Sequence, residues 1–206
     1  MHSGDPTTGV PSLEISGVAT AHAALAATIA SLTDELARQP SRLPGWSVGH
    51  VLTHLARNAD SVVRRLAGAV DGQVLDQYAG GAQGRAHDIE EGAGRPAADL
   101  VADVLRSNRE VEAVLAGFPA EAWDRLSRSV GGELTPARAV VFSRWREVAV
   151  HHVDLGLGYE PHDWPEDLVR HWLPGAKERF LATADQRELL AWLVGRASPP
   201  MLAPWG

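Results

Sequence analysis

Residues 143–156 read SRWREVAVHHVDLG, and the period of this stretch decides the fold. On a helix, Val140, Arg144, Glu147, His151 and Asp154 follow one another in steps of four and three and share one face. Val141, Trp145, Val148, His152 and Leu155 form the neighbouring, more apolar face. Glu147 and His151 therefore converge on one point, whereas His152 leaves with the packing stripe. A carboxylate and an imidazole one turn apart can offer two ligands to one divalent ion. The same pair on a solvated face contributes only a few tenths of a kcal/mol.

Working outward, apolar residues recur at helical spacing in several long runs. An alanine-rich helix is expected from about Ser16 to Arg38, ending at the break PSRLPGW. A second runs from about Ser47, a suitable N-cap, to Val70, with a stripe of Val48, Leu52, Leu55, Ala59, Val62 and Leu66. The glycine-rich residues 78–95, YAGGAQGRAHDIEEGAGR, read as a long loop. A third helix is expected from Pro96 to Leu115, then a short helical piece, a turn at VGGELTP and a fourth long helix from Pro136 to about Leu157. Two shorter helices, about Pro165–Ala182 and Asp185–Gly195, precede a proline-rich tail. The expected architecture is all-α: a four-helix bundle over residues 12–160, a disordered tail over 1–11 and a small appendage over 161–206.

Composition narrows the chemistry. The chain has 206 residues and a formal charge of −7, which argues against a phosphate-gripping nucleic-acid binder. No apolar run approaches the ~20 residues that span a bilayer, and the N-terminus lacks signal-peptide character, so a cytoplasmic protein is expected. An acidic surface is compatible with a monomer or a homodimer. The absence of cysteine excludes disulfides and an internal thiol nucleophile. Any metal site must use imidazole and carboxylate, a set that suits zinc, iron or nickel.

A third ligand could come from the second helix, where His50 and His54 lie one turn apart. His54 flanks the buried stripe and by itself reads as a hydrogen-bonded core histidine or as a ligand; His50 sits in the first turn. His22, His87, His162 and His171 show no partner at ligand spacing and read as surface or loop residues. Trp46 reads as a packing residue at the entry to the second helix. Asn58, one turn after His54, is placed to touch a site there.

Together, LPGWSVGHVLTHLARNAD (43–60) and LTPARAVVFSRWREVAVHHVDLG (134–156) resemble the mycothiol-dependent maleylpyruvate isomerases, within the DinB-like group of metal-binding four-helix bundles. The resemblance places the metal ligands on His54, Glu147 and His151. Two imidazoles and one carboxylate form the set of an open catalytic zinc site. It also implies mycothiol as an external thiol cofactor, with Asn58 and Trp46 as the residues nearest to it. A metal lowers the pKa of a bound thiol; the thiolate adds to the cis double bond of maleylpyruvate, the new single bond rotates, and elimination gives fumarylpyruvate. The end RELLAWLVGRASPPMLAPWG (187–206) resembles the family's C-terminus, whose arginine binds substrate carboxylates and falls on Arg196. Arg144 is a second candidate clamp for the small diacid, or a partner of Glu147 or Asp154. Asp154 reads as a structural residue near the helix end, or as a support for a ligand histidine. The C-terminal segment departs from the family in being short and without expected strands. Two other functions share the scaffold: a mycothiol S-transferase, and a metal-stabilised ligand-binding bundle without turnover.

Overall fold

The computed structural model describes residues 9–200, so the N-terminal part of the expected tail and the last six residues lie outside the described residues. The chain divides into two compact units, the first ending at Asp163 and the second beginning at Trp164; the expected boundary lies between residues 160 and 161.

The first unit is built on four long helices. These are α1 (Ser12–Ile29), α3 (Val48–Val70), α5 (Ala97–Ala116) and α6 (Ala137–Asp154), with short α2 (Asp34–Arg38) and α4 (Gly81–Ala93) between them. Each long helix packs on two others: α3 on α5 and α6, and α1 on the same two. The core is the summed apolar stripes: Val18 and Leu25 of α1, Leu52, Leu55 and Leu66 of α3, Val104 and Val111 of α5, and Val140, Val141 and Val148 of α6 are fully buried. Burial of each such side chain contributes about 1.5–3 kcal/mol. Close approach is written into the small residues. A Cβ added at Gly17 would lie 2.3 Å from the Trp145 ring, so glycine is what lets α1 and α6 meet there.

Four local expectations change. The first helix ends at Ile29, and the chain restarts as α2 because the Thr33 hydroxyl accepts the amide hydrogen of Leu36 as an N-cap. The fourth long helix spans Ala137–Asp154 and is closed by Gly156 at φ 69°. The VGGELTP turn belongs to an antiparallel ribbon, β1 (Leu126–Arg128) with β2 (Leu134–Pro136), pairing Ser127 with Thr135. The predicted loop at 78–95 contains helix α4. Its glycines serve proximity rather than looping: a Cβ at Gly92 would lie 2.5 Å from Thr53 Cγ2. From the α3 side, a Cβ at Gly49 would lie 2.2 Å from the Ala93 carbonyl oxygen. Ile89 and Ala93 are the buried anchors of α4.

A strap, residues 39–47, joins α2 to α3. Pro40 and Ser47 form an isolated bridge across it, and the Arg42 amide donates to the Asp154 carbonyl at 2.8 Å. Ser47 caps α3 in a capping box with His50: the His50 amide donates to the Ser47 hydroxyl, and His50 Nδ1 accepts from the Ser47 amide at 3.1 Å.

The second unit contains α7 (Glu166–Thr183) and α8 (Gln186–Leu193), the latter capped by Asp185, whose carboxylate accepts from the amides of Arg187 and Glu188. No helix among the described residues is long and apolar enough to cross a membrane.

Candidate metal centre

Adjacent helices α3 and α6 bring together the residues that a divalent ion would need. His54 projects from α3 and is 2% exposed; Glu147 and His151 project from α6 one turn apart. His54 Nε2 lies 3.1 Å from Glu147 Oε2, and His151 Nε2 lies 3.5 Å from the same oxygen. The two imidazoles meet edge to face, centroids 4.6 Å apart. One ligand atom from each residue falls within 4.8 Å of the other two, a grouping a single cation could draw together.

The outer contacts fix which nitrogens are offered. His151 Nδ1–H donates to Asp154 Oδ2 at 2.8 Å, so Nε2 is the nitrogen turned towards Glu147. Of the two readings of Asp154, this contact favours support of the histidine ring, which its carboxylate orients. His54 Nε2–H donates to the Glu147 carboxylate, while His54 Nδ1 accepts from Arg85 Nη2 at 3.3 Å.

Electrostatics separate the three groups. Burial lowers the His54 pKa to about 4, with Glu147 opposing that shift, so the ring is neutral near pH 7. Burial works against ionisation of Glu147, but hydrogen bonds from His151 and His54 outweigh it and hold the carboxyl well below the usual range. Burial likewise disfavours charge on His151, yet Asp154 and Glu147 raise its pKa above the ordinary value. A carboxylate and two imidazoles suit zinc or another divalent first-row ion.

The other predicted residues are distributed unevenly. Trp46 sets its ring edge-on to His54, centroids 5.7 Å apart, and stacks on His50 at 6.2 Å. His50 turns away, its Nε2 lying 3.4 Å from Glu90. His152 packs, as its helical phase requires: its Nε2 and the Thr28 hydroxyl are 2.7 Å apart, and its ring stacks flat on Tyr159 at 3.7 Å. Asn58 does not reach the three donors through any hydrogen bond; its Oδ1 accepts from Arg144 at 2.8 Å.

Arg144 is fully buried and pairs with neither Glu147 nor Asp154 through a hydrogen bond. Its guanidinium donates to the Leu55 carbonyl and Asn58 on α3, to Asn108 on α5, and to His22 Nε2 on α1. One side chain thereby ties all four long helices together. Burial lowers its pKa to about 10, which leaves it charged at neutral pH. This placement corrects its reading as a substrate clamp: its donors are spent inside the bundle. Arg196 belongs to the second unit, is exposed, and donates to its own Val194 and Gly195 carbonyls at 3.3 Å.

Two residues escaped the sequence reading. His22, taken for a surface residue, is 3% exposed and sits 2.9 Å from Glu112 through Nδ1. It follows Val18 by four residues and precedes Leu25 by three, so the buried stripe of α1 already contained it. Arg85 was hidden by the loop reading of 78–95. Its signal is the step of four from Arg85 to Ile89 to Ala93, which puts it on the face of α4 that packs on α3.

Comparison with known proteins adds a family. The mycothiol maleylpyruvate isomerase N-terminal domain matches residues 18–156. Among solved structures, a mycothiol-dependent maleylpyruvate isomerase shares the fold at a TM-score of 0.74 and 22% identity, covering 78% of this chain and 66% of that one. A histidine-to-alanine mutant described under the same enzyme name gives a TM-score of 0.74 and 21% identity, with the same coverage. The chain therefore spans 66% of the length of each of these structures. No curated protein matches the chain.

Proposed function

Since the chain belongs to the mycothiol maleylpyruvate isomerase N-terminal domain family, we propose that it is a zinc- and mycothiol-dependent cis–trans isomerase converting maleylpyruvate to fumarylpyruvate. The observation that carries this reading is the convergence of His54, Glu147 and His151 from two helices, with Asp154 behind His151. Three protein donors leave a position for an exogenous ligand, the mark of a catalytic rather than a structural site.

The residues divide the work. His54 Nε2, Glu147 Oε2 and His151 Nε2 would hold the ion. When bound, the metal lowers the pKa of an external thiol, which supplies the nucleophile that saturates the cis double bond long enough for rotation. Burial keeps His54 neutral and therefore able to offer a lone pair. Asp154 keeps the proton of His151 on Nδ1. Trp46 walls the ring of His54. Arg144 fixes α6 against α3, which keeps the two halves of the ligand set in register. Arg196 is the candidate from the second unit for a substrate carboxylate.

A zinc-loaded sample with mycothiol should discharge the absorbance of maleylpyruvate and yield its trans isomer. A stable absorbance under those conditions refutes the isomerase assignment. A mycothiol S-transferase is the second reading, because the two imidazoles and one carboxylate that would activate an external thiol do not by themselves specify its acceptor. Thiol transfer to an electrophile without isomerisation identifies it.

A further inference from the structure

We propose that Glu160, acting through Arg42, is a positioning residue for the candidate metal centre, closing a clasp that holds both sides of the donor set. The proposal rests on the metal-site reading above and concerns a contact outside the donor set itself.

The strap of residues 39–47 is rigid within itself. Leu43 to Trp46 make a tight turn in which the Trp46 amide donates to the Leu43 carbonyl at 3.0 Å. The Ser41 hydroxyl accepts from the Leu43 amide and donates to the Trp46 carbonyl at 2.8 Å. A loop braced in this way moves as one body, and the ring it carries, Trp46, lies edge-on to His54. Among the described residues, its hydrogen bonds to α6 and to the chain beyond it all come from Arg42. The Arg42 amide reaches the Asp154 carbonyl at the end of α6. Its guanidinium takes both carboxylate oxygens of Glu160 in a two-point pair, with Nη1 at 2.9 Å from Oε2.

Glu160 is itself held in place. Beyond α6 the chain folds back, and the Glu160 amide donates to the Asp163 carboxylate at 2.9 Å. The hydroxyl of its neighbour Tyr159 donates to the Asp163 carbonyl at 3.2 Å. The Tyr159 ring stacks flat on His152, the residue that follows His151. Two adjacent residues therefore grip the two sides of the centre. Tyr159 holds α6 beside one candidate ligand, and Glu160 holds the strap that walls the other.

The clasp lies where solvent reaches it. Arg42 and Glu160 are 43% and 34% exposed, so salt screens their pair, unlike the buried ties of Arg144. With the clasp closed, the strap and α6 are in register before an ion arrives. With it open, the strap keeps one backbone bond to α6, and a fraction of chains loses the competent arrangement. Apparent metal affinity falls with that fraction.

Competition against a chelator of known affinity tests this on the full chain. The proteins are wild type, Glu160→Gln, Arg42→Met, the double variant, and the exchange Arg42→Glu with Glu160→Arg. Each single change should weaken zinc binding about three- to fivefold at low salt. The double variant should lose no more than either single one, and the exchange should recover most of the loss. About 0.5 M salt should bring the wild type down to the level of the variants. The visible absorption band of cobalt-loaded protein should shift in Glu160→Gln and return in the exchange, a readout that a contribution to folding alone would not move. Equal zinc affinity in wild type and Glu160→Gln, an unshifted cobalt band, or additive losses in the double variant each overturn the proposal and leave the metal centre standing. Failure of wild type to take up zinc removes the metal-site reading itself and the proposal with it.

Discussion

Asp154 accepts the Nδ1–H of His151 from three residues further along the same helix, at 2.8 Å. The pair makes α6 carry both a candidate ligand and the group that aims it. Asp154 is in turn held from the strap, whose Arg42 amide donates to the Asp154 carbonyl. The end of the helix is thereby set by the segment that also presents Trp46 to His54.

Replacing Asp154 by Asn keeps the size and removes the charge that fixes the tautomer. Zinc affinity should fall about 10- to 100-fold, the usual cost of losing the carboxylate behind a ligand histidine. Competition against a chelator of known affinity measures it. Unchanged affinity would return Asp154 to a helix-end role.

Arg144→Met should destabilise the fold by about 3–5 kcal/mol, because Asn58, Asn108 and the Leu55 carbonyl lose a buried charged donor. Denaturant unfolding of metal-stripped protein reads this directly. A change within about 0.5 kcal/mol would show that the four-helix tie is not structural.

Stability should decline with acid before any carboxylate titrates. Burial, and then Arg144, lower the His22 pKa from 6.5 to about 2, and burial lowers that of His152 from 6.5 to about 4. Both rings stay neutral in the folded chain while the unfolded chain takes up their protons. Stability is thus complete above pH 6.5 and is lost as pH falls from there towards each folded value, at up to about 1.4 kcal/mol per pH unit for each histidine. Denaturation of metal-stripped protein between pH 6.5 and 4.5 should show a shallower slope in His22→Gln, by about one proton. An identical slope would mean that His22 charges in the native state.

Glu147 and His151 were legible as a convergent pair because each follows a helical period that the chain states openly, whereas His54 was singled out through the family resemblance. Val140, Arg144, Glu147, His151 and Asp154 mark one face of α6 whatever packs against it, and the same phase sends His152 to the core. What stayed hidden lacked a large apolar residue to announce it. Apart from Ile89, helix α4 is made of glycine, alanine and polar residues because it lies close on α3, so its pattern imitates a loop and conceals Arg85. His22 is surrounded in sequence by alanines, whose small size leaves its burial to be decided by Arg144 and Glu112 from other helices. Partners of that kind cannot be read from one helix. Arg144 shares a face with Glu147, and only the packing of α1, α3 and α5 shows that its guanidinium turns inward.

The central claim is that one divalent ion is held by His54 of α3 with Glu147 and His151 of α6. Zinc titration of chelator-stripped protein, followed by calorimetry in the wild type, His54→Ala and His50→Ala, tests it most directly. The account predicts one tight equivalent in the wild type, its loss in His54→Ala and its retention in His50→Ala. Tight stoichiometric binding that survives His54→Ala, or no binding in the wild type, would contradict it.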